Sequence, residues 1–246
     1  MKLIILAAGR GSRMGKRTEN LPKCMCKLAG KTLLTRCLET LQTAGLQMED
    51  IGIVTGYRSE LFTIPDIHYF HNPNWASTNM FISLTMAEKW LRTESCIVCY
   101  SDIVFSSQTV RKLVDSTEPL ALTYYTKFWD LWCKRMDDPL SDLETFRFNK
   151  DNYLTEIGKK PTSIQDIAGQ YMGMIRFTPT SWQWIMDVIK KPLPKSIEKL
   201  DMTTLLEVLV ENGHPAKVIA DSGLWLECDT ETDVEIYEKY YIKELS

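Results

Sequence analysis

The apolar run Leu3-Ile-Ile-Leu6 passes without a break into Ala7-Ala-Gly-Arg-Gly-Ser-Arg13, and this junction constrains the fold more than any other feature. Four consecutive apolar residues leave no polar face for water, so they predict a strand buried on both sides, as in a parallel sheet. The carboxyl end of such a strand is where open α/β sheets bind ligands. Gly9 and Gly11 allow backbone N–H groups to close on phosphate oxygens and form an anion nest. Arg13 adds a forked cation, and Lys23 of Leu21-Pro-Lys23 adds a compact one ten residues later. Two other glycine loops are excluded. Met14 stands where a dinucleotide fingerprint needs its last glycine, and no Gly-Lys-Ser/Thr triplet closes a P-loop.

The alternation continues. Leu33 to Ala44 carries a helical stripe at Leu34, Cys37, Leu38 and Leu41, and Gly45 ends it. Ile51–Thr55, Ile67–Phe70 and Cys96–Tyr100 read as further strands, with a helix over Phe81–Leu91. This pattern predicts an α/β fold with a doubly wound, mostly parallel, Rossmann-like sheet. After residue 118 the pattern changes. Pro119–Lys127, Thr145–Asn149 and Gln170–Thr178 read as strands of an inserted mixed or antiparallel region, with a turn at Asn149–Asn152. Helices are expected at Ser181–Lys190, Met202–Glu211 and about Glu231–Glu244, and a strand at Ala216–Ala220. The reading is one domain over 1–246, with a nucleotide-binding half (1–118) and an acceptor-binding half plus C-terminal helix (119–246).

The net charge of -3 provides no basic field for nucleic acid, so an anionic ligand needs a local cluster of cations. No run approaches the length of a membrane span, and Met1–Ala8 reads as a buried strand in preference to a signal segment. The expectation is a cytoplasmic protein with no membrane or nucleic-acid partner; a homodimer is admitted as an assembly. Cysteines at 24, 26, 37, 96, 99, 133 and 228 lie mostly in apolar runs, and His68, His71 and His214 form no spaced ligand set. They read as reduced core residues.

Carboxylates end two other segments. Asp102 follows the strand Cys96–Tyr100, and Glu227 and Asp229 follow Gly223-Leu-Trp-Leu226. Convergence of these three would hold Mg2+, a hard cation that prefers carboxylate and phosphate oxygens. Helix capping is the competing role for Asp229, because a helix follows it.

Leu6-Ala-Ala-Gly-x-Gly-Ser-Arg13-Met14, with Thr18 and Leu21-Pro-Lys23, resembles the signature of the GT-A-like nucleotidyltransferases that make NDP-sugars, CDP-alcohols and related activated phosphates. The resemblance implies that Leu6, Ala7, Ala8, Gly9, Arg10, Gly11 and Ser12 wrap a triphosphate beside Arg13, with Lys23 stabilising the charge passed to pyrophosphate. It places the metal on Asp102 and on the acids of Trp225-Leu-Glu-Cys-Asp-Thr230. Ser101 departs from the glycine usual before the metal aspartate; a positive φ there would cost about 1 kcal/mol. Asn72-Pro-Asn-Trp75-Ala-Ser-Thr-Asn79, followed by Ser83-Leu84, is similar to the cytidylyltransferase branch, above all the bacterial phosphocholine cytidylyltransferases. That implies CTP as donor, with Ser77, Thr78 and Asn79 facing the base. Trp129-Asp-Leu-Trp132, Asp137–Leu140, Glu156–Pro161 and Gly169–Gly173 look like the acceptor half of the same branch, with Lys160 on the acceptor's phosphate.

Trp129, Trp132, Tyr171 and Trp225 fall near these segments and could cage a quaternary ammonium, each face giving roughly 0.5–2 kcal/mol; filling the core is the equal alternative. Asp137, Asp138, Asp142 and Glu144 would instead suit a primary amine or an amino-acid head. Phosphocholine is therefore the favoured acceptor, with 2-aminoethylphosphonate and phosphoglutamine left open. Sugar-1-phosphate transfer and a catalytically silent nucleotide-binding subunit are the rival functions.

Overall fold

The computed structural model describes residues 1–245. Among them, seven strands form one central sheet: β1 (Lys2–Ala7), β2 (Ile51–Thr55), β3 (His68–His71), β4 (Cys96–Tyr100), β5 (Leu120–Tyr125), β6 (Gln170–Phe177) and β7 (Lys217–Asp221). Their order across the sheet is β7-β5-β6-β4-β1-β2-β3. β1 pairs parallel with β2 and β4, β2 pairs parallel with β3, and β7 pairs parallel with β5. β6 alone runs antiparallel, between β4 and β5. Leu3, Ile4 and Ile5 at the centre are fully buried, as an apolar run without a polar face requires. The second half is therefore a mixed extension of the same sheet.

Helices cover both faces, and local chemistry explains most of their ends. Thr32 caps Leu33–Thr43 by accepting from the Thr35 N–H, and Thr178 with Ser181 forms a capping box on Pro179–Val188, where proline takes the first turn. The helix expected over Phe81–Leu91 is two short ones, Met80–Thr85 and Glu88–Leu91. Between them Met86 and Ala87 donate to carbonyls three residues back, which tightens the turn and breaks the axis. The C-terminal helix likewise stops at Tyr240 and restarts at Ile242. Two helices, Ser107–Val114 and Phe128–Arg135, were not expected from the pattern.

Thr145–Asn149 does not join the central sheet. Phe146–Phe148 pairs with Leu154–Ile157 as a separate hairpin turning at Asn149–Asn152, where Asn152 has φ +60°. Of the cysteines, all but Cys133 are buried, and all are free thiols. No helix among the described residues is long and apolar enough to cross a membrane.

Candidate active site

The phosphate loop is held open by β1 and closed by Lys23. The Ala8 carbonyl leaves the strand end to accept from the Tyr57 N–H at 2.9 Å. Gly11 then turns with φ +74°, and a Cβ there would lie 2.6 Å from Lys23 Cβ. Thr18, fully buried, donates its hydroxyl to the Gly11 carbonyl at 3.0 Å and ties the loop to the turn that follows. Pro22 has φ −67° and leads into the short 3-10 turn Lys23–Met25, which aims the lysine side chain back under the loop.

Lys23 Nζ lies 2.6 Å from Asp102 Oδ2 and 2.7 Å from Asp229 Oδ1. Two short antiparallel strands bring those carboxylates together. Trp225–Glu227 pairs with Ile103–Phe105, Glu227 opposite Ile103, and the Cys228 N–H donates to the Asp102 carbonyl at 2.9 Å. The acids on either side of this pairing are thereby forced to one end of it. Ser101 is not among the residues with positive φ, so the serine costs nothing there. Arg13, 65% exposed, reaches down to Asp229 Oδ1 at 2.8 Å.

Charges within the cluster shift one another. Burial works against the Lys23 ammonium, but Asp102 and Asp229 outweigh it and hold the lysine firmly protonated. Burial would also raise Asp229, yet Lys23, Arg13 and Arg135 keep it below the usual carboxylate range. For Glu227 burial first, then the neighbouring Asp229 and Asp102, outweigh Arg135 and Lys23 and push it up to about 8. Arg135, with only 2% of its side chain exposed, donates to Asp233 Oδ1 at 2.8 Å and stands 3.7 Å from Asp229 and 3.8 Å from Glu227. Asp233 in turn accepts from the backbone N–H groups of Asp229 and Thr230 and caps Glu231–Tyr240.

Asp102, Glu227 and Asp229 are thus neighbours, as expected, with the Lys23 ammonium between two of them. Among the described residues no group of three or more His, Cys, Asp and Glu side chains is placed to hold an ion. The reason is visible in the geometry: the Lys23 ammonium bridges two of the three carboxylates. Asp102 Oδ1, however, is a buried oxygen with no hydrogen-bond partner. Such an atom costs desolvation energy unless something else meets it, so the donor set fits a hard cation arriving with a ligand.

Two cavities share Met80, and the larger of them is lined by Arg13, Glu227 and Asp229 of this cluster. The smaller, ≈ 100 Å³, is lined by Leu6, Ala8, Gly9, Trp75, Thr78, Asn79, Met80 and Ser83. The loop and the Asn72–Asn79 turn therefore form one wall, as expected for a nucleotide site. Ala7 is buried in the strand, Arg10 and Ser12 are exposed at the loop mouth, and the Ser77 hydroxyl donates to the Asn74 carbonyl outside the lining. The larger cavity, ≈ 290 Å³, is lined by Arg13, Asp142, Glu144, Asp201, Glu227 and Asp229, with Tyr100, Trp132 and Tyr171 also on its walls.

The expected four-ring cage is not assembled. Trp225 is 1% exposed, stacks on Trp132 at 5.8 Å, and donates its ring N–H to the Met172 carbonyl. Trp129 is outside the lining. The Trp132 ring is itself in the core and presents its N–H edge to Asp142 Oδ2 at 2.9 Å, while the Arg135 guanidinium lies 4.6 Å from its centroid. Lys160 is also elsewhere than expected: it is exposed, and its ammonium holds the Leu140 and Ser141 carbonyls at 2.6 and 2.7 Å. Asp137 and Asp138 do not reach the cavity, whereas Asp142 and Glu144 do. Sequence reasoning missed Asp201, Tyr100, Arg135 and Asp233. Of these Asp201 carried a signal, as an N-cap candidate before the Met202–Glu211 helix, and so did Asp233, as the fourth residue of a Thr230-x-x-Asp233 capping box.

A phosphate loop at the end of a parallel strand, facing a lysine clamped by carboxylates and opening on two adjacent cavities, defines a nucleotidyltransferase. Comparison with known proteins agrees: residues 3–140 match the MobA-like NTP transferase domain. The chain belongs to that family. It is 32% identical to the CTP:phosphoglutamine cytidylyltransferase of Campylobacter jejuni, covering 96% of this chain and 98% of that one. Among solved structures it superposes on the CTP:phosphocholine cytidylyltransferase of Streptococcus pneumoniae with a TM-score of 0.69 at 19% identity, covering 97% of each chain. The inositol-1-phosphate CTP transferase of T. maritima gives 0.72 at 21% identity, covering 99% of this chain and 96% of that one. These two likenesses speak for the fold alone.

Proposed function

We propose that the chain is a Mg2+-dependent cytidylyltransferase that moves CMP from CTP to a small phosphorylated acceptor bearing an amine, of the phosphoglutamine or 2-aminoethylphosphonate type. The observation that carries the acceptor class is the larger cavity: it is lined by one cation, Arg13 of the glycine loop, and by the carboxylates Asp142, Glu144 and Asp201. A phosphate suits the cation and an ammonium the carboxylates. Likeness to the phosphoglutamine enzyme over nearly the whole of both chains supports the same reading.

The acceptor's phosphate oxygen attacks the α-phosphorus of CTP; the bond to the bridging oxygen breaks, and its electrons leave on pyrophosphate. A phosphate dianion is already the nucleophile, so the side chains need only position and neutralise. Arg13 and Lys23 reach the phosphates from the loop side, Lys23 exchanging its carboxylate partners for triphosphate oxygens. A Mg2+ on Asp102 and Asp229 would neutralise charge on the α-phosphate.

Phosphocholine is a second reading, favoured by Tyr100, Trp132 and Tyr171 on the cavity wall. Pyrophosphate release with CTP, tested against phosphoglutamine, 2-aminoethylphosphonate, phosphocholine and sugar 1-phosphates, decides among them. Preference for the amine-bearing acceptors is expected. A sugar phosphate as best acceptor would overturn the reading, and no product with any acceptor would revive a silent nucleotide-binding subunit.

A further inference from the structure

Two hydroxyls on the wall of the smaller cavity are held by one buried amide. The Asn72 side chain is fully buried, and its Oδ1 accepts from the Asn74 N–H at 3.0 Å. A backbone N–H only donates, so this bond fixes which end of the amide is oxygen. Nδ2 consequently donates to Thr78 Oγ1 at 3.1 Å and to Ser83 Oγ at 3.0 Å. The proton of Thr78 goes to the Asn74 carbonyl at 2.8 Å. A hydroxyl has one proton and two lone pairs. Thr78 Oγ1 therefore has one lone pair left, and it can offer the cavity only an acceptor. Ser83 Oγ has taken the Asn72 N–H and keeps its own proton to give.

Asn79, beside Thr78 on the same wall, has its amide pinned by one bond at each end. Its Oδ1 accepts from the Met80 N–H at 2.8 Å, and its Nδ2 donates to the Lys199 carbonyl at 3.3 Å. An acceptor beside a donor is the complement of cytosine, whose 4-amino group donates next to a ring nitrogen that accepts. Uracil presents the reverse at the same two positions, a carbonyl beside an N–H. Adenine offers the same pair as cytosine, but on a two-ring base that must enter a cavity of ≈ 100 Å³.

We infer that Thr78 Oγ1, locked as an acceptor by Asn72 and Asn74, reads the 4-amino group of the base, while the Ser83 hydroxyl donates to the adjacent ring nitrogen. Selection of CTP over UTP thus lies in a hydrogen-bond polarity set one layer behind the cavity wall. This rests on the CTP donor proposed above.

The test is kcat/KM for CTP and UTP, at a fixed saturating acceptor, in the wild type and in Thr78→Val, Thr78→Ser and Ser83→Ala, with the melting temperature of each. Thr78→Val keeps the branched shape and removes the hydroxyl, so the CTP:UTP ratio should fall at least about tenfold, the loss expected when a polar contact is removed. Thr78→Ser should keep the preference, Ser83→Ala should lower it, and the acceptor KM should not move. A wild type indifferent between CTP and UTP sinks the donor assignment itself. A wild type that prefers CTP, with the preference intact in folded Thr78→Val, refutes the role of the hydroxyl; if that variant does not fold, Ser83→Ala decides in the same way.

Discussion

Replacing Gly11 with alanine perturbs the site at the point where loop and lysine meet. The residue has φ +74°, a left-handed conformation that costs an L-residue roughly 1–2 kcal/mol. The new Cβ would also lie 2.6 Å from Lys23 Cβ and 2.8 Å from its Cγ and Cδ. Cβ is the fixed base of that side chain, so the lysine backbone must move; overpacking of this kind costs about 1–3 kcal/mol. Together the two effects amount to about 2–5 kcal/mol, or a fall in Tm of roughly 5–20 °C for a chain of this size. Displacing Lys23 also opens its 2.6 and 2.7 Å ion pairs, so turnover should drop well beyond what the unfolded fraction explains. Gly9 is the control within the same loop. A Cβ there meets no atom within 4 Å, yet Gly9 lines the nucleotide cavity. Gly9→Ala should therefore melt like the wild type and lose affinity for CTP. Calorimetric melting with steady-state kinetics on both variants provides the assay. Were Gly11→Ala to melt within a degree or two of the wild type and turn over normally, the account of how Lys23 is seated would be wrong.

Lys23→Met should lower kcat by about 10²–10³, the scale of removing one charge-stabilising donor, with a folded protein by circular dichroism; turnover near normal would remove Lys23 from the mechanism. Lys160→Met should release the Leu140 and Ser141 carbonyls and loosen the wall that carries Asp142, raising the acceptor KM several-fold at constant kcat; a collapse of kcat instead would return Lys160 to the reacting phosphate. Asp201 accepts from the Thr204 N–H and pairs with Lys195 at 2.5 Å, which together outweigh burial and hold its carboxyl below the usual range. A depressed carboxylate stabilises the fold above its unfolded pKa of about 4 and loses that contribution as pH falls through the folded value. Asp201→Ala should thus cost about 0.5–2 kcal/mol at neutral pH, with the gap to wild type closing in acid; a gap independent of pH would show that the charge has no part in it.

The half of the site built from contiguous signals could be read from residues in order. Arg13, Lys23 and Asp102 each sit in or beside an apolar strand end or a Pro-Lys turn, where the local pattern states both the element and the direction of the side chain. The late acids were legible as a pair, but the bridge from Asp229 to Lys23 spans about two hundred residues of sequence and has no local trace. The pairing of Arg135 with Asp233 escaped for the same reason: each lies on a helix at spacing that suits an ordinary solvated face, and only the fold buries them. Composition left the tryptophans undecided. An aromatic residue near a site segment serves a cage or a core equally well, and Trp225 went to the core because its neighbours Tyr125 and Trp132 offered a stack there. The helices Ser107–Val114 and Phe128–Arg135 are eight residues each, too short for periodicity to stand out from the strands that flank them.

The single reversed strand has a consequence for how the molecule comes into being. β6 fills the gap between β4 and β5, so the centre of the sheet is completed by a segment that ends at Phe177. A nascent chain that has made only the glycine loop, Lys23 and Asp102 carries the chemistry of its phosphate site on a half-finished ladder. The edge of Cys96–Tyr100 remains bare until some seventy further residues have emerged, and its apolar sequence is the kind that recruits foreign strands. Concealment of that edge is thus postponed until β6 emerges, and the charged cluster is completed later still, when Asp229 arrives to meet Lys23.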